Sequence, residues 1–503
     1  MPNIAERLNE NAAARPNHVA IKVHDTELSY AVLEEAAARV ASLLRAKGVE
    51  PGDRVGIMLP NVAQFAACYY GALRAGAAVV PMNPLLKDRE IAFYLRDSEA
   101  QALLAWHQCA DAAHAGAEQA GIECVLVEPG QFETLLERCQ PAPEIVARRA
   151  DDTAVILYTS GTTGKPKGAE LTHHNILRNV EITVGLFRLD ERAVMLGALP
   201  FFHAFGQTCA LNASVSVGAR LTLIPRFEAG NALEILERDR VTVFAGVPTM
   251  YAAMLHHQNA GRTDTASLEI CVSGGAAMPA EVMRAFEERF GCQILEGYGL
   301  SETSPVASFN RPDRPRKPGS IGLPVDGVEM RLIDDRGDAV PQGEVGEIAI
   351  RGHNVMKGYW RRPDATAEAI DRAGWFKTGD LARADEDGYF FIVDRKKEMV
   401  IRGGFNVYPR EIEEVLYEHP DVREAAVIGI PHPELGEEVA AAIALKAGAR
   451  STAADVRDFV KQRVAAYKYP RHVWLMDELP KGPTGKLLKR EIRPPDELAK
   501  GCG

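Results

Sequence analysis

Residues 158–168 read Tyr-Thr-Ser-Gly-Thr-Thr-Gly-Lys-Pro-Lys-Gly and follow directly on an apolar run at residues 153–157 that predicts a β-strand. The glycines, serine and threonines of this stretch supply backbone N–H and hydroxyl donors at the end of the strand, and Lys165 and Lys167 add two cations. Such a segment can hold several phosphate oxygens together through charge-assisted hydrogen bonds. The sequence therefore predicts a polyphosphate-binding loop.

This loop differs from the common P-loop, because neither Gly161 nor Gly164 has a Gly-Lys-Ser/Thr at the required offset. The alternative is a surface linker rich in glycine, serine and threonine. A linker needs neither an apolar strand in front of it nor two lysines around a proline, so we favour the phosphate-binding interpretation.

The chain around the loop alternates helix and strand signals. Apolar residues at helical spacing predict a helix over residues 29–47, with Gly48 as its stop. Short β-branched runs predict strands at residues 153–158, 220–224, 241–244 and 268–272, and helical patterns occur at 232–238 and 279–290. This alternation is typical of a largely parallel sheet covered by helices.

A change of texture near Pro318, to short strands and Gly/Asp turns, predicts a β-rich subdomain. A further unit begins near residue 396, with helices predicted at 409–416 and 453–465 and strands at 425–428 and 439–445. The predicted fold class is α/β: a large N-terminal domain of helix-covered sheets plus the β-rich subdomain (residues 1–395), and a small α+β C-terminal domain (residues 396–503).

Composition narrows the function classes. The 503 residues suit about two to four packed units, and the 46% hydrophobic and 25% charged residues are average for a soluble protein. A net charge of −11 argues against general nucleic-acid binding. The most apolar window, Val62–Met82, is interrupted by polar residues and has too few consecutive apolar residues for a transmembrane helix. The eight cysteines are scattered, without the spacing of a zinc site, and fit a reducing compartment. Residues 1–11 lack the apolar core of a signal peptide. We therefore expect a cytoplasmic protein.

Further motifs follow the loop in a fixed order. They are Tyr298-Gly-Leu-Ser-Glu-Thr303, Gly346-Glu-Ile, Gly379-Asp380, Asp394-Arg-Lys-Lys-Glu398, Gly403-Gly-Phe-Asn406 and Pro483-Thr-Gly-Lys486. Together with residues 158–168 they resemble the adenylate-forming superfamily, in its acyl-CoA synthetase and fatty-acid–CoA ligase branch, which is related to coumarate–CoA ligases and luciferases. The resemblance implies a two-step ligase that uses ATP, Mg²⁺ and coenzyme A. It would form an acyl-AMP with release of pyrophosphate and then a thioester.

The resemblance also assigns the nucleotide-binding residues. Tyr298 would lie against adenine, Asp380 and Arg395 would contact the ribose, and Ser301 would lie near the α-phosphate, where most relatives carry threonine. A carboxylate such as that of Asp380 can accept hydrogen bonds from both ribose hydroxyls. The complete set is Thr159, Ser160, Gly161, Thr162, Thr163, Gly164, Lys165, Lys167, Gly275, Ala276, Tyr298, Gly299, Ser301, Asp380 and Arg395.

Three residues are candidates for catalysis by the same resemblance. Glu302 would bind magnesium together with Thr159, although an isolated glutamate at this place is usually a helix N-terminal charge. Lys486 would bridge the incoming carboxylate and the α-phosphate, although a lysine in a basic tail is usually only solvated. His203 would lie between the acyl pocket and the thiol tunnel in a gating or positioning role, whereas a histidine among aromatic residues is more often part of the core.

The thioester step would need a rotation of the C-terminal domain, which the resemblance makes a mobile lid. Its hinge would be Lys397, and a loop containing Gly403, Gly404 and Phe405 would replace Lys486 beside the thiol. Small residues let a backbone approach the pantetheine closely. Without the resemblance, an ordinary turn is equally plausible for this loop.

The acyl pocket would be lined by small and apolar residues, namely Phe202, Gly246, Val247, Gly274 and Gly297. Gly297 stands where malonate-specific relatives carry arginine, and the aspartate of amino-acid-activating domains is absent, so a second charge on the substrate would lack a partner. An open, neutral, apolar slot favours a medium- or long-chain fatty acid, with a cinnamate- or benzoate-type acid as the alternative.

Other classes were weighed against the CoA ligase. An enzyme that loads an acyl carrier protein is less favoured because this chain shows no fused carrier domain. A luciferase-type oxygenase is less favoured because the C-terminal Gly-Cys-Gly is not a peroxisomal signal. A non-enzymatic nucleotide sensor would be expected to have lost Lys486 or Glu302, and both are present. A homodimer and a lysine acetyltransferase acting on Lys486 are the protein partners left open, since acetylation would remove the charge of that lysine.

Overall fold

The computed structural model describes residues 3–159, 166–483 and 485–495, which form four sheets. In chain order the strands are β1 (Val19–Val23), β2 (Thr26–Ser29), β3 (Arg54–Met58), β4 (Ala78–Pro81), β5 (Ala100–Trp106), β6 (Glu123–Val127), β7 (Thr153–Thr159), β8 (Lys167–Thr172), β9 (Val194–Gly197), β10 (Arg220–Leu223), β11 (Val243–Gly246), β12 (Ile270–Ser273), β13 (Gln293–Gly299), β14 (Val306–Phe309), β15 (Leu323–Pro324), β16 (Val328–Ile333), β17 (Gly346–Gly352), β18 (Gly358–Tyr359), β19 (Phe376–Ala384), β20 (Phe390–Arg395), β21 (Val400–Arg402), β22 (Phe405–Val407), β23 (Val422–His432), β24 (Gly436–Leu445) and β25 (His472–Leu475).

Helices cover these sheets. They are α1 (Glu6–Ala14), α2 (Tyr30–Ala46), α3 (Ala63–Arg74), α4 (Asp88–Ser98), α5 (Ala110–Ala120), α6 (Gln131–Glu137), α7 (His173–Leu186), α8 (Ala213–Val217), α9 (Ala229–Arg238), α10 (Pro248–Leu255), α11 (Ala280–Phe290), α12 (Pro363–Ala369), α13 (Pro409–Tyr417) and α14 (Ala453–Lys461). A π-helical segment, Phe205–Asn212, leads into α8. Short 3₁₀ turns lie at His107–Cys109, Ser301–Thr303 and Lys489–Glu491.

Two large sheets carry most of the fold. One has nine strands in the order β15-β14-β13-β12-β11-β9-β10-β1-β2, and the other has seven in the order β18-β8-β7-β4-β3-β5-β6. Their inner strands are parallel, as in the pairs β11–β12, β12–β13 and β3–β4. The predicted α/β class with a largely parallel, helix-covered sheet is therefore confirmed. The carboxyl ends of β11, β12 and β13 lie side by side, which is where open α/β sheets bind ligands.

The C-terminal third has the predicted change of texture. Strands β16, β17, β19 and β20 form an antiparallel sheet, and β21–β25 form a second sheet that α13 and α14 accompany. Buried apolar residues between 400 and 492 form two clusters of their own, whereas the largest cluster contains residues from Ile4 to Phe390. The α+β character predicted for the C-terminal unit is confirmed.

The residues at the two ends of helix α2 explain why it begins and ends where the sequence predicted. Ser29 caps it by accepting a hydrogen bond from the backbone N–H of Val32, and Gly48 follows it with a φ of 81°. The apolar window at residues 62–82 is divided between α3 and β4. Within the described part of the chain, no helix is long and apolar enough to cross a membrane.

Several boundaries differ from those predicted. Strand β11 begins at Val243 instead of 241, because the hydroxyl of Thr242 accepts a hydrogen bond from the Val194 N–H before the regular ladder starts. Strand β12 begins at Ile270, since Leu268 is held in a turn by the carbonyl of Thr265. Helix α14 ends at Lys461, four residues earlier than predicted, and β23 and β24 are longer than predicted.

Candidate active site

The end of strand β7 meets a buried carboxylate. The Thr159 hydroxyl Oγ1 donates to Glu302 Oε1 over 3.2 Å, and the Tyr359 hydroxyl donates to the same oxygen over 3.1 Å. Glu302 is 8% exposed, and burial raises its pKa while these hydrogen bonds oppose the shift. A buried carboxylate beside a hydroxyl offers the oxygen ligands that Mg²⁺ prefers, so the two residues fit this ion.

The two ends of the phosphate loop lie next to each other. Thr159 and Lys167 are opposite residues of the antiparallel pair β7–β8, and the Lys167 ammonium lies 5.1 Å from the ring centroid of Tyr359. The predicted phosphate-binding residues Ser160, Gly161, Thr162, Thr163, Gly164 and Lys165 lie outside the described residues. The described ends therefore place one cation beside Tyr359, whose hydroxyl donates to Glu302.

A second polar cluster joins the end of β13 to the paired strands β19 and β20. The Tyr298 hydroxyl donates to Asp380 Oδ2 over 2.5 Å, and Arg395 Nε lies 3.3 Å from Asp380 Oδ1. Burial raises the pKa of Asp380, and the charge of Arg395 opposes this. Each carboxylate oxygen can accept further hydrogen bonds, and the Arg395 side chain is still 52% exposed. The cluster can therefore bind a diol such as a ribose.

The backbone near Tyr298 tolerates little change. A Cβ at Gly299 would lie 1.7 Å from the Pro305 carbonyl oxygen, so glycine is needed there. Gly275 has a φ of 77°, which favours glycine, and Ala276 follows it in the loop after β12. Ser301 begins the 3₁₀ turn that contains Glu302. These residues lie at the carboxyl ends of β12 and β13, as a nucleotide site on this sheet requires.

Lys486 reaches the same region from the C-terminal unit. It belongs to a tight turn, here called the Lys486 turn (residues 481–487, of which 484 lies outside the described residues). The Gly482 N–H donates to the Lys486 carbonyl over 2.8 Å. Burial lowers the pKa of Lys486 to about 8, and the positive charge of Arg395 adds to this shift. The shift reflects a lysine held inside a cleft near another cation.

His203 lies beside Phe202 and is close enough to Lys486 for the charge of the lysine to act on its imidazole. Its side chain is exposed to the cleft but surrounded by protein, and this burial together with the charge of Lys486 lowers its pKa to about 4. Its ring centroid lies 5.2 Å from that of Phe202. A neutral imidazole with this pKa is a weak base near pH 7, which agrees with a positioning role better than with general-base catalysis.

Three glycines predicted for the acyl pocket lie at or next to the ends of neighbouring strands β11, β12 and β13, and each has an aromatic ring beside it. A Cβ at Gly274 would lie 3.0 Å from the Phe205 ring, one at Gly297 would lie 2.6 Å from Phe309, and one at Gly246 would lie 2.8 Å from Phe244. The space beside these glycines is thus filled by aromatic rings of the protein. The open, apolar slot stays a prediction.

Phe205 lies against Gly274, one of the residues predicted for the acyl pocket, and the sequence did not single it out. It begins the π-helical segment Phe205–Asn212, and its ring packs over Gly274. π-Helical segments are rare and often occur at functional sites, but no sequence pattern predicts them. The available signal was its position two residues after His203.

The predicted hinge and thiol loop do not join the cluster around Lys486. Lys397 is exposed in the turn after β20. Gly403 and Gly404 have φ values of 55° and 83°, which favour glycine, and the Gly403 N–H donates to Leu435. Phe405 is 56% exposed and stacks on Tyr467 with ring centroids 4.8 Å apart. These contacts are all within the C-terminal unit.

Comparisons with known proteins agree with this geometry. The family model described as AMP-binding enzyme matches residues 8–360, and the model described as AMP-binding enzyme C-terminal domain matches residues 411–486. The chain is 36% identical to a long-chain-fatty-acid–CoA ligase of Bacillus subtilis (strain 168), covering 96% of this chain and 93% of the relative, and 39% identical to a feruloyl-CoA synthase of Amycolatopsis sp, covering 96% of both. The crystal structure of ATP-bound MatB from Rhodopseudomonas palustris superposes with a TM-score of 0.91 at 34% identity, covering 97% of both chains.

Proposed function

Since the chain belongs to the AMP-binding enzyme family and is an AMP-forming acid–CoA ligase that uses ATP, Mg²⁺ and coenzyme A, we propose that its acid is a medium- or long-chain fatty acid. The observation that carries this proposal is the chemistry of the pocket wall. Its assigned members are glycine, valine and phenylalanine, which offer no partner for a second charge on the substrate. The similarity to a long-chain-fatty-acid–CoA ligase supports the same class.

An aromatic acid is the second candidate. The ring of Phe205 lies beside Gly274, one of the residues assigned to the acyl pocket. A flat ring could stack there in the offset or edge-to-face geometry that aromatic pairs prefer. The 39% identity to a feruloyl-CoA synthase favours this candidate as well. The two acids differ in what they demand of the pocket: an alkyl chain needs depth, and an aromatic ring needs a flat wall.

The first step brings two anions together, so the enzyme must supply positive charge and alignment. Attack of the carboxylate on the α-phosphorus of ATP forms the acyl-AMP and releases pyrophosphate. We assign the phosphates to the loop ending at Lys167, Mg²⁺ to Thr159 and Glu302, and the nucleoside to the cluster of Tyr298 and Asp380. This assignment is supported by the hydrogen bond between Thr159 and Glu302 and by the fixed position of Asp380.

Lys486 is assigned to the reacting atoms in this step. Its ammonium can stabilise the charge that builds between the carboxylate and the α-phosphate. The support is its position in the cleft, where the charges of Arg395 and Asp380 both act on its pKa. His203 would orient the acid without taking its proton.

The second step is assigned to a different arrangement of the same parts. We propose units of residues 1–395 and 396–503, joined at Lys397, because the apolar clusters of residues 400–492 contain only residues of the second unit. A rotation there would withdraw Lys486 and bring Gly403, Gly404 and Phe405 to the acyl-AMP. The exposure of Phe405 in the present arrangement supports a loop that binds elsewhere in the cycle.

Regulation by acetylation of Lys486 and formation of a homodimer are further proposals. Acetylation would remove the charge on which the first step depends. Intact-protein mass spectra of cell extracts that always show Lys486 unmodified would contradict the first proposal. Light scattering of the purified chain at the mass of one chain would contradict the second.

One assay decides between the two acids. Purified protein is given ATP, Mg²⁺, coenzyme A and single acids from acetate to oleate, with cinnamate and benzoate, and the acyl-CoA products are quantified by mass spectrometry. Highest kcat/KM for acids of medium or long chain supports the proposal. Highest kcat/KM for cinnamate or benzoate replaces it with the aromatic candidate, and a chain that releases no pyrophosphate with any acid contradicts both.

A further inference from the structure

The Lys486 turn is held at two places by different parts of the chain. At its base, the Lys481 ammonium pairs with Glu424 over 2.7 Å and with Glu478 over 2.8 Å, both within the C-terminal unit. At its tip, the Thr249 hydroxyl donates to the Gly485 carbonyl over 2.7 Å. The base thus belongs to the C-terminal unit, and the tip is bound to helix α10 of the large unit.

The tip contact is close as well as polar. Gly485 has a φ of 81°, and a Cβ there would lie 2.9 Å from the Thr249 hydroxyl and 3.3 Å from the Val247 side chain. Val247 directly precedes α10 and Thr249 is the second residue of this helix, so the N-terminal end of α10 receives the tip. The residue after Gly485 is Lys486. A shift of Gly485 therefore moves the backbone that carries the lysine.

We infer that Thr249 is a positioning residue that docks the Lys486 turn for the adenylation step. The inference rests on the proposed role of Lys486. Thr249 acts through Gly485 on the placement of the lysine, since small displacements of a reacting group cost large factors in rate. Its hydrogen bond connects the two units, so it must break when the C-terminal unit turns away for the thioester step.

This role predicts a division between the half-reactions. Thr249→Val keeps the shape of the side chain and removes the hydroxyl, so adenylation, measured as pyrophosphate release, should fall about fivefold, as expected for one neutral hydrogen bond. Conversion of supplied acyl-AMP and coenzyme A to thioester should be unchanged. Thr249→Ser keeps the hydroxyl and should restore most of the adenylation rate.

A double-mutant cycle separates docking from general stabilisation. If Thr249 acts only by placing Lys486, Thr249→Val should cause no further loss of the residual adenylation in a Lys486→Ala background. Equal loss in both half-reactions, a full loss repeated in the Lys486→Ala background, or an unchanged rate in Thr249→Val would each overturn the inference. Lys486→Ala with full adenylation activity would instead overturn the proposed role of the lysine, so the two failures are distinguishable.

Discussion

The C-terminal unit presents two glycine-containing turns in opposite situations. The Lys486 turn is bound to the large unit through Thr249 and Gly485, and its lysine is enclosed in the cleft. The hairpin β21–β22, with Gly403 and Gly404 at its turn, is exposed, and Phe405 packs on Tyr467 of its own unit. The C-terminal unit thus carries two chemically different turns, and in this structure the one with the lysine is bound to the large unit.

This difference teaches how one site can serve two steps. The first step needs a cation between two anions, and the second needs space for a neutral thiol chain next to the acyl-AMP. A lysine and a glycine pair cannot both occupy one position. If the C-terminal unit rotates as proposed, carrying the two turns on different parts of it would satisfy both demands without rebuilding the nucleotide site.

The strongest test of the comparison is Lys486→Ala. Loss of the ammonium removes charge stabilisation made in the transition state, so adenylation should fall by roughly 10² to 10³. Thioester formation from supplied acyl-AMP should be retained, because the proposed thioester step does not use the lysine. Pyrophosphate release and acyl-CoA are measured separately. Equal loss in the two half-reactions would remove the contrast between the turns.

The complementary test is Gly404→Ala, which should affect the thioester step and not adenylation. A Cβ at Gly404 meets no atom within 4 Å in the present arrangement, so adenylation should be unchanged. Close approach of the pantetheine in the thioester step would be obstructed, and that step should slow by about 30-fold, as expected for a crowded contact. Thioester formation from supplied acyl-AMP is the measurement.

A matched control accounts for backbone strain. Gly448 has a φ of 79°, close to the 83° of Gly404, and likewise has open space beside it. Gly448→Ala therefore introduces the same left-handed alanine in the same unit, away from the hairpin. A similar loss of thioester formation in both variants would show that strain, and not proximity to the thiol, is the cause.

The pH dependence should also differ between the half-reactions. The pKa of Lys486 is lowered to about 8, so the cation is present below this pH and is lost as the pH rises through it. The kcat/KM of adenylation for ATP, which reports the free enzyme, should fall about tenfold per pH unit above pH 8. Thioester formation from acyl-AMP should lack this decline. Lys486→Arg should remove the decline from its residual activity, because a guanidinium stays charged.

If the kcat/KM of Lys486→Arg still falls above pH 8, the decline must come from the titration of another group. Bound ATP adds negative charge near the lysine and should raise its pKa, so the decline in kcat is expected at higher pH than that in kcat/KM. Coincident declines in the two parameters would contradict a lysine that faces the phosphates.

Local patterns predicted the elements well, because helix caps and apolar periodicity act over a few residues. Ser29 and Gly48 delimit α2 as expected, and the strand before the phosphate loop ends at Thr159. The cluster of Tyr298 and Asp380 joins residues 82 positions apart, which periodicity cannot reveal. Its prediction depended on the family resemblance, and the structure supplies its geometry.

The pocket was harder to predict for a physical reason. Glycine in a sequence does not tell whether the space beside it is empty or filled. At Gly274 and Gly297 it is filled by Phe205 and Phe309, and the Phe205 contact spans a long stretch of chain. The docked position of the Lys486 turn depends on Thr249, 236 residues earlier in the chain, and no local pattern marks that contact.

The smallest expected effect concerns the exposed turn. Phe405→Leu removes the stack on Tyr467 but keeps an apolar side chain, and because Phe405 is 56% exposed the free energy of unfolding should fall by less than about 1 kcal/mol. Urea denaturation measures this change. Tyr467→Leu should cost more, because Tyr467 also packs against the apolar cluster of the C-terminal unit, and Phe405→Leu should cost less in the Tyr467→Leu background, where the stack is already absent. If the losses of the two single variants simply add in the double variant, the stack contributes no interaction energy. Phe405 would then be held by other contacts, and the contrast between the exposed hairpin and the Lys486 turn would be weaker.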